Sequence, residues 1–205
     1  MAKGKMKKRS MRVDMTAMCD VSFLLLTFFV LTSTAKLPEP LPVDTPSSTV
    51  QTKLPEINLA TVTVGQDKVF FGVLGKEERI ATLEKMGERY NINFSDEEKQ
   101  AFSYLEAIGT PMNELKKFLN LPVDVRNKVG AEQAGIPIDS VNNQLKDWVQ
   151  VARIVAKEKN NKIIDVAIKG DAEESYPKIK EVIDILQEQR VFRFFLVTGL
   201  RNEDF

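Results

Sequence analysis

A chain of 205 residues with 29 basic and 29 acidic side chains is long enough for one domain with a real core plus short appended segments, and its zero net charge gives no electrostatic case for nucleic acid. Histidine is absent and Cys19 is the only cysteine, which excludes a disulfide framework and removes the commonest general base, the usual nucleophile pairings and most transition-metal sites. The expectation is a protein with no catalytic residues, no metal and no cofactor.

The charge is unevenly placed. Residues 1–14 carry Lys3, Lys5, Lys7, Lys8, Arg9 and Arg12 against the single acid Asp14, a local balance of +5 that leaves −5 to the rest. A basic tail entering an apolar segment marks the cytoplasmic flank under the positive-inside rule, so the tail is expected inside and everything after the segment outside.

The apolar centre, residues 21–31, is too short to cross hydrocarbon as a helix, which takes about 20 residues. Extension to residues 15–34 supplies that length and places Asp20 inside the span. A carboxylate there costs roughly 2.5–3.5 kcal/mol on insertion scales, so it marks a functional position that faces a partner or a cavity. At 100° per residue Thr16, Asp20, Thr27 and Thr34 fall within about 40° of one another, a narrow polar stripe opposite a Phe, Leu and Val surface. Hydrocarbon favours the neutral form of an acid, and the threonine hydroxyls can bond to another helix, so Asp20 is the candidate proton carrier.

Two plainer readings of the segment compete. Ser33, Thr34 and Ala35 resemble the small-residue pattern before a signal-peptide cut, which would release a secreted adaptor domain without Asp20. Alternatively Asp20 caps the helix at the interface, leaving residues 21–35 to span. Cys19 precedes the apolar run, so it is read as a small buried residue and not as a lipidation site.

Residues 13–26, VDMTAMCDVSFLLL, resemble the N-terminal signature of the ExbD and TolR family, typically N-x-T-P-x-x-D followed by a leucine pair. Thr16 and Asp20 match its threonine and aspartate; Asp14 stands in place of the Asn and Ala17 in place of the Pro. Residues 163–198 are similar to the closing strand, turn, helix and strand of the family's exported domain, ending in Leu196, Val197 and Thr198. The resemblance implies a single-pass inner-membrane protein with a periplasmic domain, a homodimer of helices inside a ring of multi-spanning ExbB-like or TolQ-like subunits, and protons as the coupling ion. It further implies either a TonB-like transducer and uptake across the outer membrane, or a TolR-like role in envelope integrity with possible peptidoglycan contact. A stator subunit of another proton-driven machine is a further alternative.

Residues 35–56 hold five of the nine prolines and read as an extended tether. At about 3.1 Å per residue it would reach roughly 60 Å, either as a segment that transmits motor state and plugs the channel when idle or as a passive spacer. The exported part, residues 57–205, is expected to be α+β, a small sheet covered by helices. Residues 57–64 and 68–71 read as a hairpin around Gly65, Gln66 and Asp67. Helical spacing follows over 79–90, 97–108 and 112–119, with Ser95 as an N-cap and Gly109 as a stop. Residues 84–135 exceed what the family usually carries and are read as a helical insertion, either an added docking surface for cell wall or a partner or, the favoured reading, an elaboration that enlarges the core. Ser140 is a candidate cap for a helix to Lys159 whose face of Leu145, Trp148, Val149, Ala152 and Val155 should pack on the sheet. A strand over 163–168, a helix over 176–189 and a strand over 192–197 complete the chain, with a right-handed crossover expected if the two strands are parallel.

Overall fold

The computed structural model describes residues 15–33, 39–48, 53–139 and 142–200. The chain divides into two compact units, residues 1–36 and 37–205. The first contributes one element, helix α1 (Met15–Thr32), in which every side chain is exposed or half-exposed. Its 18 residues make a rod of about 27 Å, close to the thickness of bilayer hydrocarbon. The expected span ran two residues further; Thr34 lies outside the described residues.

The second unit begins with a surprise. Residues 39–48 are not the free spacer that their prolines suggest. Leu41 is 2 % exposed, and the short strand β1 (Ser47–Ser48) pairs in parallel with residues 199 and 200. Proline sets an extended backbone, but extension does not prevent docking when alternate side chains such as Leu41 and Val43 find an apolar seat.

Strands β2 (Leu59–Gly65) and β3 (Lys68–Val73) form the expected hairpin, in register from Ala60 opposite Val73 to Gly65 opposite Lys68. The connecting pair Gln66 and Asp67 both hold positive φ, 52° and 59°. Two left-handed residues in succession define the turn whose twist matches a hairpin.

Helix α2 (Lys76–Tyr90) buries Leu83 and Met86 and ends on Asn91 in the left-handed conformation. Helix α3 (Asp96–Ser103) starts at a complete capping box: Glu98 N donates to Ser95 Oγ and Ser95 N to Glu98 Oε2. The expected helix over 97–108 stops at Ser103, because Ile108 leaves it to exchange both backbone hydrogen bonds with Phe71 on the edge of β3, at 2.8 and 2.9 Å. Helix α4 (Met112–Leu119) follows as expected, then α5 (Val123–Val129), which buries no side chain. Met112, Leu115, Phe118 and Leu119 join the main hydrophobic cluster.

Helix α6 (Gln144–Asn160) is capped by Asn143, whose side chain accepts from Lys146 N; Ser140 lies outside the described residues. Its apolar face packs as expected. Trp148 sits 6.0 Å from Phe71 of β3 and is stacked on Phe102 of α3 at the same distance. Strand β4 (Asp165–Gly170), helix α7 (Tyr176–Glu188) and strand β5 (Phe194–Val197) form a parallel strand–helix–strand unit, and β6 (Gly199–Leu200) receives β1.

The sheet order is β3-β2-β4-β5, with β2 antiparallel to β3 and parallel to β4. Val62, Thr63 and Val64 are buried in succession, as are Val166, Ala167 and Ile168. Successive strand residues point to opposite faces, so both faces of the central strands are covered. Two charged side chains are buried among the described residues, Glu98 of the α3 cap and Arg79. Arg79 is 6 % exposed, donates from Nε to Val73 O at 2.6 Å and from a terminal nitrogen to Ser103 O at 2.9 Å. Burial lowers its pKa and nearby Glu106 offsets part of that effect. It ties the end of the hairpin to the end of α3.

Candidate functional site: the acid in the apolar helix

Among the 18 residues of α1 the only ionisable group besides Cys19 is Asp20. It occupies the sixth helical position, more than a turn inside the start, so the reading of Asp20 as a helix N-cap is not what the structure shows. Regular α-helix over the whole segment places Thr16, Asp20 and Thr27 on one face. The stripe extends about 16 Å along the axis. Its expected fourth member, Thr34, falls outside the described residues.

The helix also deals with its hydroxyls. Ser22 Oγ donates to Met18 O at 2.8 Å, Thr27 Oγ1 to Leu24 O at 2.9 Å and Thr32 Oγ1 to Phe28 O at 2.8 Å. Each donor is thereby satisfied one turn back, as a segment surrounded by hydrocarbon requires. The Thr27 oxygen can still accept from a neighbouring helix. Asp20 has no such internal partner among the described residues. A carboxylate cannot donate to the carbonyls of its own helix, so in apolar surroundings it needs either a proton or a donor from another chain.

Among the described residues no group of three His, Cys, Asp or Glu side chains is arranged to hold a metal ion. A groove of about 270 Å³ is lined by Glu39, Pro40, Tyr104, Glu106, Phe118 and Arg126, among others.

Among the described residues, one helix is long and apolar enough to cross a membrane and carries one internal acid, and a mixed α+β domain built on a four-stranded sheet follows it. Residues 6–200 match the family described as biopolymer transport protein ExbD/TolR, and the chain belongs to that family. The match covers nearly the whole chain, well beyond the two motifs that carried the resemblance. Neither the curated proteins nor the solved structures yield a match. Membership makes this a membrane component of biopolymer transport, in a family of energy-transducing subunits that work with ExbB-type or TolQ-type partners and perform no catalysis.

Reasoning from sequence missed the features that attach the proline-rich segment to the domain: Leu41, Val43, Glu39 and its partner Lys169. The signal was present. Leu41 and Val43 alternate between prolines, so an extended chain presents both on one side.

Proposed function

We propose that this protein is the proton-carrying, ExbD-like subunit of an inner-membrane motor that powers uptake through outer-membrane receptors. The observation that carries the reading is Asp20, an acid with no partner among the described residues, set on a threonine-bearing face inside an otherwise apolar helix. In this reading α1 crosses the inner membrane with the basic tail in the cytoplasm and residues 37–205 in the periplasm. Two copies place their polar faces together within a ring of multi-spanning ExbB-like subunits. The Asp20 carboxylate takes up a proton from the outer side and loses it to the inner side. Neutralisation lets the helix face turn against apolar surroundings, and ionisation returns it to a polar partner, which makes the proton cycle a mechanical one. A charge crossing about 100 mV releases roughly 2.3 kcal/mol, sufficient over several protons to rearrange non-covalent contacts with a TonB-like transducer.

The test is Asp20→Asn in cells, with membrane fractionation to establish that the variant still inserts. Asparagine keeps the size and polarity of the side chain and cannot cycle a proton. The expected result is normal insertion with energy-dependent uptake abolished. Detergent sensitivity with intact uptake would assign the chain to the TolR-like branch. Intact uptake and an intact envelope, with the variant made and inserted, would sink the proton-carrier reading.

A further inference from the structure

The proline-rich segment is docked by contacts of an unusual kind. Glu39 forms an ion pair with Lys169 on β4. Leu41 is buried, yet it lies outside the main hydrophobic cluster of the domain. Val43 and Leu41 lie over Gly65 at the end of β2, where an added Cβ would come within 2.7 Å of Val43 Cγ1 and 3.3 Å of Leu41 Cδ2. Asp44 O accepts from Ala172 N at 2.7 Å and Pro46 O from Gly199 N at 3.0 Å. The two-residue β1–β6 ladder completes the attachment as a sheet of its own, separate from the four-stranded one.

None of these contacts holds the core together. The hairpin, the β2–β4 ladder and the Trp148 cluster are complete without residues 39–48. The segment is a strap laid over one end of the sheet, and its attachment nearest α1 is a partly exposed ion pair. Glu39 is about half exposed, and a surface ion pair is weak and screened by salt. Tension arriving along the chain from α1 would therefore load the weakest contact first and peel the others one at a time.

We propose that residues 39–48 form a releasable strap that gives the tether two lengths. With the strap docked, the chain between Thr32 and Glu39 spans at most about 25 Å. With the strap peeled away, the tether runs from Thr32 to Asn58, whose carbonyl oxygen stays bonded to Asp165 N, and can reach on the order of 80 Å. Release also withdraws Glu39 and Pro40 from one wall of the groove beside α3, α4 and α5. The significance of the two lengths rests on the membrane reading of α1; the docking itself does not.

Two adjacent amides make the proposal testable. Ala172 N donates to the strap, whereas Asp171 N donates to Val64 O on β2 at 2.9 Å. Hydrogen exchange of the full chain in detergent micelles, resolved by residue, would be compared with Leu41→Ser and with Gly65→Ala. The second variant changes neither the strap nor its charge and collides with it. The expected result is exchange at Ala172 and Gly199 faster by roughly 30-fold or more in Leu41→Ser, in the direction set by loss of a buried leucine, with Asp171 unchanged. Gly65→Ala should move the same two amides. If Asp171 accelerates together with Ala172 in both variants, the strap is an inseparable part of the fold and the proposal fails. It also fails if Ala172 exchanges freely in the unaltered protein or is indifferent to both substitutions. Asp20→Asn should leave the exchange pattern intact, so failure here and failure of the proton-carrier reading are separate events.

Discussion

Helices α1 and α6 are nearly equal in length, 18 and 17 residues, and both are rich in large apolar side chains. Their surroundings are opposite. Leu24 and Phe29 of α1 are 65 % and 60 % exposed, whereas Leu145 and Trp148 of α6 are 0 % and 1 % exposed. The polar residues differ as well. On α6 they form an outward face with ion pairs such as Arg89–Asp147 and Lys146–Glu188, while on α1 the hydroxyls turn back onto their own carbonyls. Apolar content alone says that a helix avoids water; the pattern of its polar atoms says which solvent replaces water. For α6 it is the protein interior, and for α1 it is lipid.

That contrast breaks in measurable ways. Trp148→Ala should cost the domain about 3–5 kcal/mol of unfolding free energy, measured by chemical denaturation of the full chain in detergent, with membrane insertion untouched. Leu25→Lys, on the side of α1 away from Asp20, should do the reverse. It should disfavour insertion by about 2.5–3.5 kcal/mol, seen as loss from the alkali-resistant membrane fraction, and leave the denaturation midpoint of the domain where it was. If Leu25→Lys instead destabilised the domain, α1 would be a core helix and the contrast would be wrong. The smallest effect concerns Tyr90, whose hydroxyl donates to Asp147 Oδ2 at 2.6 Å. Burial, reinforced by that bond to an acid, raises its pKa. A tyrosine in the unfolded chain ionises near pH 10 and the folded one only above that, so its contribution is complete below about pH 10 and lost as the pH rises further. Stability of the full chain should therefore fall more steeply above pH 10 than that of Tyr90→Phe, while α1 remains indifferent to the change.

Much of this was legible along the chain where the signal is local. The hairpin turn, the Ser95 cap, the bounds of α4 and the Trp148 face all depend on residues a few positions apart. Asp20 was conspicuous because an acid has so few reasons to sit in an apolar run. The departures share a non-local cause. Helical spacing continues past Ser103, but Ile108 gains two backbone hydrogen bonds from Phe71, more than thirty residues earlier, and the helix yields. The strap was hidden for the same reason: its seat is built by Gly65, Lys169, Ala172 and Gly199, none of them near it in sequence. Composition identified an extended segment correctly as extended, and had no means of registering the surface that receives it.

The mixed sheet has a consequence for the order of events in folding. Strand β2 lies between an antiparallel neighbour that follows it within a few residues and a parallel neighbour, β4, whose Asp165 stands opposite Leu59. The first pairing is available almost as soon as the chain emerges, and the second must wait for about four fifths of the 205 residues to be made. Until β4 arrives, the hairpin presents its Val62 and Val64 edge to whatever else is nearby, and closing so long a loop is slow. A ribosome stalled anywhere between α2 and α6 would thus leave an unmatched apolar strand, and the interval before β4 appears is when the nascent chain most needs a chaperone.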